Sequence, residues 1–412
     1  MEALPVKILF LTQYFPPEVG APQNRLYELA IRLNQDDIKI DVLTAMPNYP
    51  QMEIYEGYKG KWFSKETMGR LDVHRAGIFV SKHKSIFFRL LNYFSFVFTS
   101  SIYATFRLKK YDYVFCESPP LFLGLSALWI CLVKRSKLIF NVSDLWPESA
   151  EKLGLVKNKF FLKMATWLEE YLYKRAVLIT GQTQGIVENI KNRFPAKSVY
   201  WLPNGVDLAF YDTGSITGKG LRESLFTEND FILFYGGIIG YAQGLDTIIF
   251  AAEKLKDYKH IKFVLQGSGP EKERLGILKA DLNLENIFYL DVVNKEKMPE
   301  ILKSIDAAII PLKKLELFKG AIPSKIFETL AMKKPILLGV EGEAKKLFID
   351  GGNGGLFFEP ENADELADKI LELYRQPELA ETKGESGYKF VMENFSRDKI
   401  ANELRQKIKE IA

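Results

Sequence analysis

Short apolar runs recur along the whole chain and alternate with stretches whose apolar positions repeat at helical spacing. The runs predict strands. In the first half they are "KILFLTQYF", "IKIDVLTA", "LDVHRAGIFV", "YDYVFCES", "KLIFNVSD", "AVLITGQ" and "VYWLP". In the second half they are "FILFYGG", "IKFVLQG", "IFYLD", "AAIIPL", "PILLG" and "GLFFEP". The periodicity between them predicts helices, as at Leu26, Leu29, Ala30 and Leu33. Strand and helix alternating from end to end predict parallel sheets. Between the two series, "PNGVDLAFYDTGSITGKG" is rich in Gly, Asp, Ser and Thr and predicts a linker. The last stretch, "ENFSRDKIANELRQKIKEIA", predicts a helix with no strand after it. The expected fold class is α/β: two doubly wound, Rossmann-like domains at residues 1–204 and 205–392, facing each other across a cleft, with the C-terminal helix 393–412 packing back on the first.

A length of 412 residues is too great for one ordinary core, which agrees with two domains. Apolar residues make up 47% of the chain, so it can fold compactly. The balance of 56 basic against 52 acidic residues, net +4, is too mild to argue for a nucleic-acid partner. Cys116 and Cys131 both sit in apolar runs and read as small buried hydrophobes, which fits a reducing cytoplasm. His74, His83 and His260 are scattered, so no zinc site is expected. No Asp-x-Asp occurs, so a metal-bridged diphosphate site has no support. "LFLTQYFPPEVG" after the first strand has no GxGxxG, which disfavours a nicotinamide dehydrogenase. The N-terminus lacks the long apolar run and cleavage site of a signal peptide.

Three stretches carry candidate chemistry. "FYGGIIGYAQGL" puts Gly236, Gly237, Gly240 and Gly244 between a strand and a helix, where backbone can approach phosphate; a tight turn is the plain alternative. "QGSGPE" after the next strand reads as a turn. In "IPSKIFETLAMKKPILLG", Pro323 suits a helix start, with Ser324 and Lys325 at the same end. Lys325 offers an anion a point charge, and Glu328, on the same helical face, can accept two hydrogen bonds from a diol. A Lys–Glu surface pair is the alternative. In the first half, "SDLWPESAEKLG" follows the strand "KLIFNV", so Asp144, Trp146 and Glu148 cluster at a strand's carboxyl end, the rim where open parallel sheets bind ligands.

The motifs "YFPPEVGAPQNRLYELA", "MPNYP", "VSDLWPESAEKLG", "LPNGVD", "YGGIIGYAQGL", "QGSGPEKERL", "IPSKIFETLAMKKPIL" and "GEAKKLF" occur in an order that resembles the retaining GT-B glycosyltransferases of family four. The resemblance covers nearly the whole chain and lies nearest the fucosamine-transferase-like and colanic-acid branch. It implies an acceptor-side first domain and a second domain that binds a nucleotide-sugar donor. On that resemblance Glu328 holds the nucleotide ribose, and Gly237 and Gly240 form the loop under the diphosphate. The backbone of Asp291, Val292 and Val293 seats the base, and Gly20 belongs to the first-domain glycine loop facing the donor. The Arg and Lys that clamp the diphosphate in many relatives are here Ile238 and Gln243. Lys325, next to Ser324, is then the best remaining cation. The first acid of the pair, eight residues before Glu328, is here Gly320; Glu341 or Glu343 is a substitute, or Glu343 only caps its helix.

Where many relatives carry a histidine before the rim acid, this chain has Ser143. Asp144 then orients or deprotonates the acceptor, or caps the helix after "LWP". The leaving diphosphate itself can accept the acceptor's proton, as is usually proposed for the family. Arg25 at a helix start opposes the dipole and points to an anion nearby, an acceptor lipid phosphate or a salt-bridge partner. Asn48, Tyr49 and Glu148 are further acceptor candidates.

From Val73 to Tyr111 the chain contains no acid, and Arg75, Lys82, Lys84, Arg89, Arg107, Lys109 and Lys110 are basic. Phe87, Leu90, Leu91, Phe94, Phe98, Ile102 and Phe106 fall on one helical stripe. This predicts an interfacial helix on an anionic membrane at about 82–106, or else a crossover helix buried in the first domain. "LFLGLSALWICLVKR" reads as a buried helix. The expected protein is a retaining hexosyl- or N-acetylhexosaminyltransferase, using a UDP-linked sugar and a polyprenyl diphosphate-linked acceptor in surface polysaccharide assembly, such as capsule or O-antigen. It needs no cofactor and no metal, and it sits on the inner face of the cytoplasmic membrane. The alternatives are a nucleotide-sugar epimerase of the same shape and a catalytically silent binding protein.

Overall fold

The computed structural model describes residues 4–83, 85–152, 156, 158–214, 216 and 220–412. Lys84, the end of "SDLWPESAEKLG" at 153–154 and the linker positions 215 and 217–219 lie outside the described residues. The chain forms two compact units, Met1–Asn204 with Arg397–Ala412, and Gly205–Ser396.

The first unit is built on β1 (Val6–Leu11), β2 (Ile38–Ala45), β3 (Phe63–Met68), β4 (Leu71–Ala76), β5 (Tyr113–Ser118), β6 (Lys137–Val142), β7 (Ala176–Gly181) and β8 (Val199–Trp201). Their order is β3-β4-β2-β1-β5-β6-β7-β8, parallel except for β3, which pairs antiparallel with β4. The central strands are apolar without alternation because both faces are covered. On one face lie the helices Ile86–Arg107, Leu123–Lys134, Lys159–Arg175 and Gln184–Arg193; Phe96, Ala127, Leu168 and Ile190 share a core with Leu9, Val114 and Phe140. On the other lie Ala21–Leu33 and the terminal helix Arg397–Ile411; Leu26, Leu33, Leu404 and Ile408 meet Ile8, Ile40 and Phe115. Arg405 Nε donates to Asp37 Oδ2 at 2.9 Å, and this bond holds the Asp37 carboxyl down at about 2.

The sequence reading misses β3. "FSKETM" is polar at four of its six positions and lies at the sheet edge, so its pattern carries little apolar signal. The strand expected at "LDVHRAGIFV" ends at Ala76.

The second unit has β9 (Phe231–Gly236), β10 (Ile261–Gln266), β11 (Ile287–Leu290), β12 (Ala307–Pro311), β13 (Ile336–Gly339) and β14 (Gly355–Phe357), all parallel, in the order β11-β10-β9-β12-β13-β14. Leu233, Phe263 and Ile309 pack against Ile248, Leu366 and Ile370. The order of connection reverses between β1 and β5 in the first sheet and between β9 and β12 in the second, and ligands of such sheets bind outside the carboxyl ends at these points.

Leu404, fully buried on the terminal helix, tests how far the first unit depends on it. Leu404→Ala should destabilise that unit by about 2–5 kcal/mol, seen as a lower urea midpoint for its unfolding.

Candidate functional site

At the second switch point, the loop after β9 is fastened to the loop after β10. Gly237 N donates to Gln266 O at 2.9 Å and Ile239 N to Ser268 O at 2.9 Å. The backbones come so close that a Cβ on Gly267 would stand 1.8 Å from Gly237 O, and one on Gly269 2.3 Å from Ile239 O. Gly237, Gly267 and Gly269 have φ of +137°, +149° and +156°. Only glycine meets both requirements, so "QGSGPE" is more than a turn: it sets the position of the Gly237 loop. Gly240 precedes the turn Tyr241–Gln243, with Gln243 Oε1 3.0 Å from where its Cβ would be.

Lys325 opens the helix Lys325–Ala331 after β12, directly behind Ser324. Its Nζ lies 4.1 Å from the Tyr235 ring centre and 3.1 Å from the position of a Cβ on Gly237. Desolvation in this corner pulls the ammonium down to about 8, with Glu328 one turn on acting the other way. Among the described residues the ammonium has no hydrogen-bond or carboxylate partner within contact distance. A cation left in that condition beside a glycine loop is suited to an anion from outside. Asp291, Val292 and Val293 follow β11 on the same rim, two strands from β9. Gln266 Nε2 holds the Asp291 carbonyl at 3.1 Å, Lys272 takes its carboxylate at 3.0 Å, and Val292 is exposed. Gly342 packs so tightly on the segment bearing Gly320 that its Cβ would meet Lys319 O at 2.1 Å. Glu341 and Glu343 therefore flank a contact with the stretch where the acid is missing.

At the first switch point, the anion that Arg25 calls for is a side chain of the protein. Arg25 is buried and reaches Glu117 Oε1 at 2.6 Å and Ser143 Oγ at 2.7 Å. Ser143 and Asn141 also donate to Glu117, and Thr180 Oγ1 donates to Asn141 Oδ1 at 2.6 Å. Of the two partners expected for Arg25, the salt-bridge partner is present, and it is Glu117. Asn48 also turns inward: it is buried and donates Nδ2 to Met46 O at 2.9 Å. Tyr49 stays exposed on the rim, and its N–H donates to Glu18 Oε1 at 2.8 Å. Glu18, buried, also accepts from Asn48 N at 2.7 Å and Phe15 N at 3.3 Å, while burial raises its pKa. Sequence reasoning missed Glu117 and Glu18. An acid inside an apolar strand, as in "VFCES", is the signal that marks the first.

Gly20 is extended, with φ of 176°, at the start of Ala21–Leu33, and Gln23 folds back so that a Cβ on Gly20 would stand 2.4 Å from its Oε1. Asp144 is half-buried just beyond β6 and accepts from Ser149 Oγ through Oδ1; among the described residues Oδ2 has no hydrogen bond. Among the described residues its carboxylate bonds to a side chain and to no backbone N–H. Glu148 begins the short helix Glu148–Lys152. Trp146 packs on Phe122 and Phe161, with ring centroids 5.4 and 6.2 Å apart.

The basic stretch is corrected in two places. Arg75 is fully buried, with Nε 2.5 Å from Glu66 Oε1, and Lys82 pairs with Glu53 at 2.6 Å. The helix Ile86–Arg107 buries Asn92, Phe96, Thr99, Ser100, Tyr103 and Ala104, which lie off the predicted stripe. Phe87, Leu91, Phe94, Phe98 and Phe106 are exposed. "LFLGLSALWICLVKR" is not wholly buried either, since Leu125, Trp129, Leu132 and Val133 are exposed.

Two Rossmann-like units, each built on a doubly wound sheet with its own switch point, are the parts of a GT-B fold. Family sequence models match each half, Glycosyltransferase Family 4 at residues 23–210 and glycosyl transferases group 1 at residues 220–390. The chain is a glycosyltransferase of the GT-B group 1/family 4 superfamily. A relative named as the colanic acid biosynthesis glycosyl transferase WcaI, from Escherichia coli, is 26% identical over 335 residues, 79% of this chain and 81% of its own. The fold is shared with sucrose-phosphate synthase from Thermosynechococcus elongatus at a TM-score of 0.76 and 15% identity, over 98% of this chain and 99% of that one. HepE from Anabaena, solved in complex with UDP and glucose, matches at a TM-score of 0.71 and 17% identity, again over 98% and 99%.

The titration of Lys325 gives a direct test. With an ammonium pKa of about 8 before binding, half the lysine is neutral at that pH, and a diphosphate restores the charge. Nucleotide diphosphate binding at pH 8 should take up roughly half a proton. Affinity should fall as pH rises further, by up to about tenfold per unit. Calorimetry in buffers of different ionisation enthalpy measures the uptake, and Lys325→Ala should abolish both effects.

Proposed function

We propose that the protein is a retaining transferase that moves a hexose or N-acetylhexosamine from a UDP-linked donor to a lipid-linked saccharide in surface polysaccharide assembly. The observation that carries the donor side is Lys325, a desolvated ammonium without a carboxylate partner in contact, held over the Gly237 loop. Developing charge on a leaving diphosphate is stabilised by such a preplaced cation and by backbone N–H groups, with no metal required. Glu328 would accept from the ribose, the backbone at 291–293 would face the base, and Ser324, Gly240 and Gln243 would complete the phosphate side. Glu341 or Glu343 would reach the donor sugar in place of the acid absent at Gly320. The choice of UDP draws on the bound ligand of the Anabaena protein, and the polysaccharide setting on the name of the Escherichia coli relative.

In the first unit, Asp144 would orient the acceptor hydroxyl or take its proton, and Gly20, Tyr49 and Glu148 would line the rim. Retention follows if the diphosphate oxygen accepts that proton on the face it leaves. The exposed aromatics of Ile86–Arg107 support a place on the inner face of the cytoplasmic membrane, where a polyprenyl diphosphate acceptor is met. A silent binding protein is the second reading, favoured by Ile238 and Gln243 where many relatives carry charge.

Four outcomes test this reading. Glu328→Ala should weaken UDP binding by roughly 1.5–3 kcal/mol, the worth of hydrogen bonds to a charged group, as measured by calorimetry; unchanged affinity here and in Lys325→Ala would remove the donor site from this loop. Turnover should persist in EDTA, and its complete loss with recovery on adding manganese would overturn the metal-free route. Mass spectrometry of products from a panel of nucleotide sugars and a membrane lipid extract should show one glycosylated lipid. Replacing both Glu341 and Glu343 by Gln should alter which sugar is accepted more than it alters UDP affinity.

A further inference from the structure

The layer formed by the helices Ile86–Arg107, Leu123–Lys134 and Lys159–Arg175 is apolar on its outer side as well as its inner one. Phe98 and Phe106 on the first are 66% and 80% exposed, and Leu132 on the second is 72% exposed. On the third, Phe160 and Trp167 are 72% and 63% exposed, two turns apart on one side of the helix. The helices are neighbours. Ser100 Oγ lies 2.8 Å from Ser126 Oγ, Trp129 Nε1 donates to Thr105 Oγ1 at 3.0 Å, and a Cβ on Gly124 would stand 2.3 Å from Leu172 Cδ1. The outer faces therefore join into one surface. The same unit supplies its own comparison: the helices on the opposite face of the sheet, Ala21–Leu33 and Arg397–Ile411, have no exposed large apolar side chain.

Charge follows the same division. The first two of the three helices contain no Asp or Glu. On the third, Glu169 is buried against Tyr173 and Arg193, and Glu170 is half-buried beside Lys174 and Arg193. Exposed cations such as Arg89, Arg107, Lys159 and Lys163 stand among the aromatics. Among the described residues no helix is long and apolar enough to cross a membrane.

We infer that the whole outer face of this three-helix layer, and not the first helix alone, contacts an anionic lipid bilayer. Aromatic side chains with interleaved cations and few acids suit the headgroup boundary, where rings insert and cations meet lipid phosphate. A second copy of the chain fits less well, because a two-fold contact would set the same cations against each other. The inference rests on the lipid-linked reading of the acceptor and extends it to helices which that reading does not use.

The test is co-sedimentation of the full chain with vesicles of phosphatidylglycerol and phosphatidylethanolamine, against phosphatidylcholine alone. The variants are Phe160→Ser with Trp167→Ser, and Leu125→Ser with Leu132→Ser, both leaving the first helix intact. The parent should bind the anionic vesicles, and each double variant should bind them roughly tenfold or more weakly, with UDP affinity and melting curve unchanged. If both variants bind like the parent while Phe87→Ser with Phe98→Ser is released, the first helix suffices and the inference is overturned, though membrane docking stands. If the parent binds neither vesicle, both readings fall. If the parent is a dimer that the variants dissociate, and it ignores vesicles, the face is a subunit contact instead.

Discussion

A parallel sheet must be covered on both faces, and this requirement governs the first unit. Its central strands have no solvent-facing side, so each needs helices above and below. Right-handed crossovers send the helices of successive rightward steps to one face, and the steps from β4 through β8 supply four long ones there. The other face receives Ala21–Leu33, while the link from β2 to β3 contains only the single turn Glu56–Tyr58. The deficit is made good by Arg397–Ile411, with Leu404 and Ile408 completing a core that begins at Ile8.

The same geometry places the carboxyl ends of all the parallel strands on one rim of their sheet, and the two switch points treat charge in opposite ways. Arg25 is neutralised internally: Glu117 faces it, and Asn141 and Ser143 use the remaining carboxylate capacity. Removing one member of such a buried pair typically costs about 3–5 kcal/mol, so this network shapes the rim and is not free to bind. Lys325 has the loop, the ring of Tyr235 and the charge of Glu328 one turn on, and desolvation still lowers its pKa. One basic side chain is paired inside the fold; the other is held beside a glycine loop.

Element type was legible because buried parallel strands are short, mostly apolar runs, as "KLIFNV" and "FILFYG" show. β3 was not, since an edge strand exposed on alternate residues resembles a loop. At the rim of the second sheet the glycines of "YGGIIG" and the lysine of "PSKIFE" could be named from sequence, because close backbone approach and a fixed cation need those residue types. The partnership of "QGSG" with that loop depends on contacts between segments about thirty residues apart, which no local pattern records. Arg25 was read as awaiting an anion; that the anion is Glu117, far along the chain, is again a tertiary fact. Likewise the stripe on Ile86–Arg107 was visible, but the side that faces inward is the one bearing Asn92, Phe96, Thr99, Ser100, Tyr103 and Ala104, whose polar members bond to Phe79 O, Gly77 O and Phe96 O.

The return of the terminal helix to the first unit also bears on the order of events during synthesis. Domains generally fold as units, the N-terminal one first as the chain emerges. Here the residues that close the face around Leu26 and Ile40 are made only after all of Gly205–Ser396. Until then Leu33, Ile38 and Phe115 lack part of their cover, and the earlier half of the protein waits, with apolar surface open, for the later half to be translated. A nascent chain in this condition is a natural client for a chaperone that holds apolar surface, and the interval of need is set by how long the second unit takes to make.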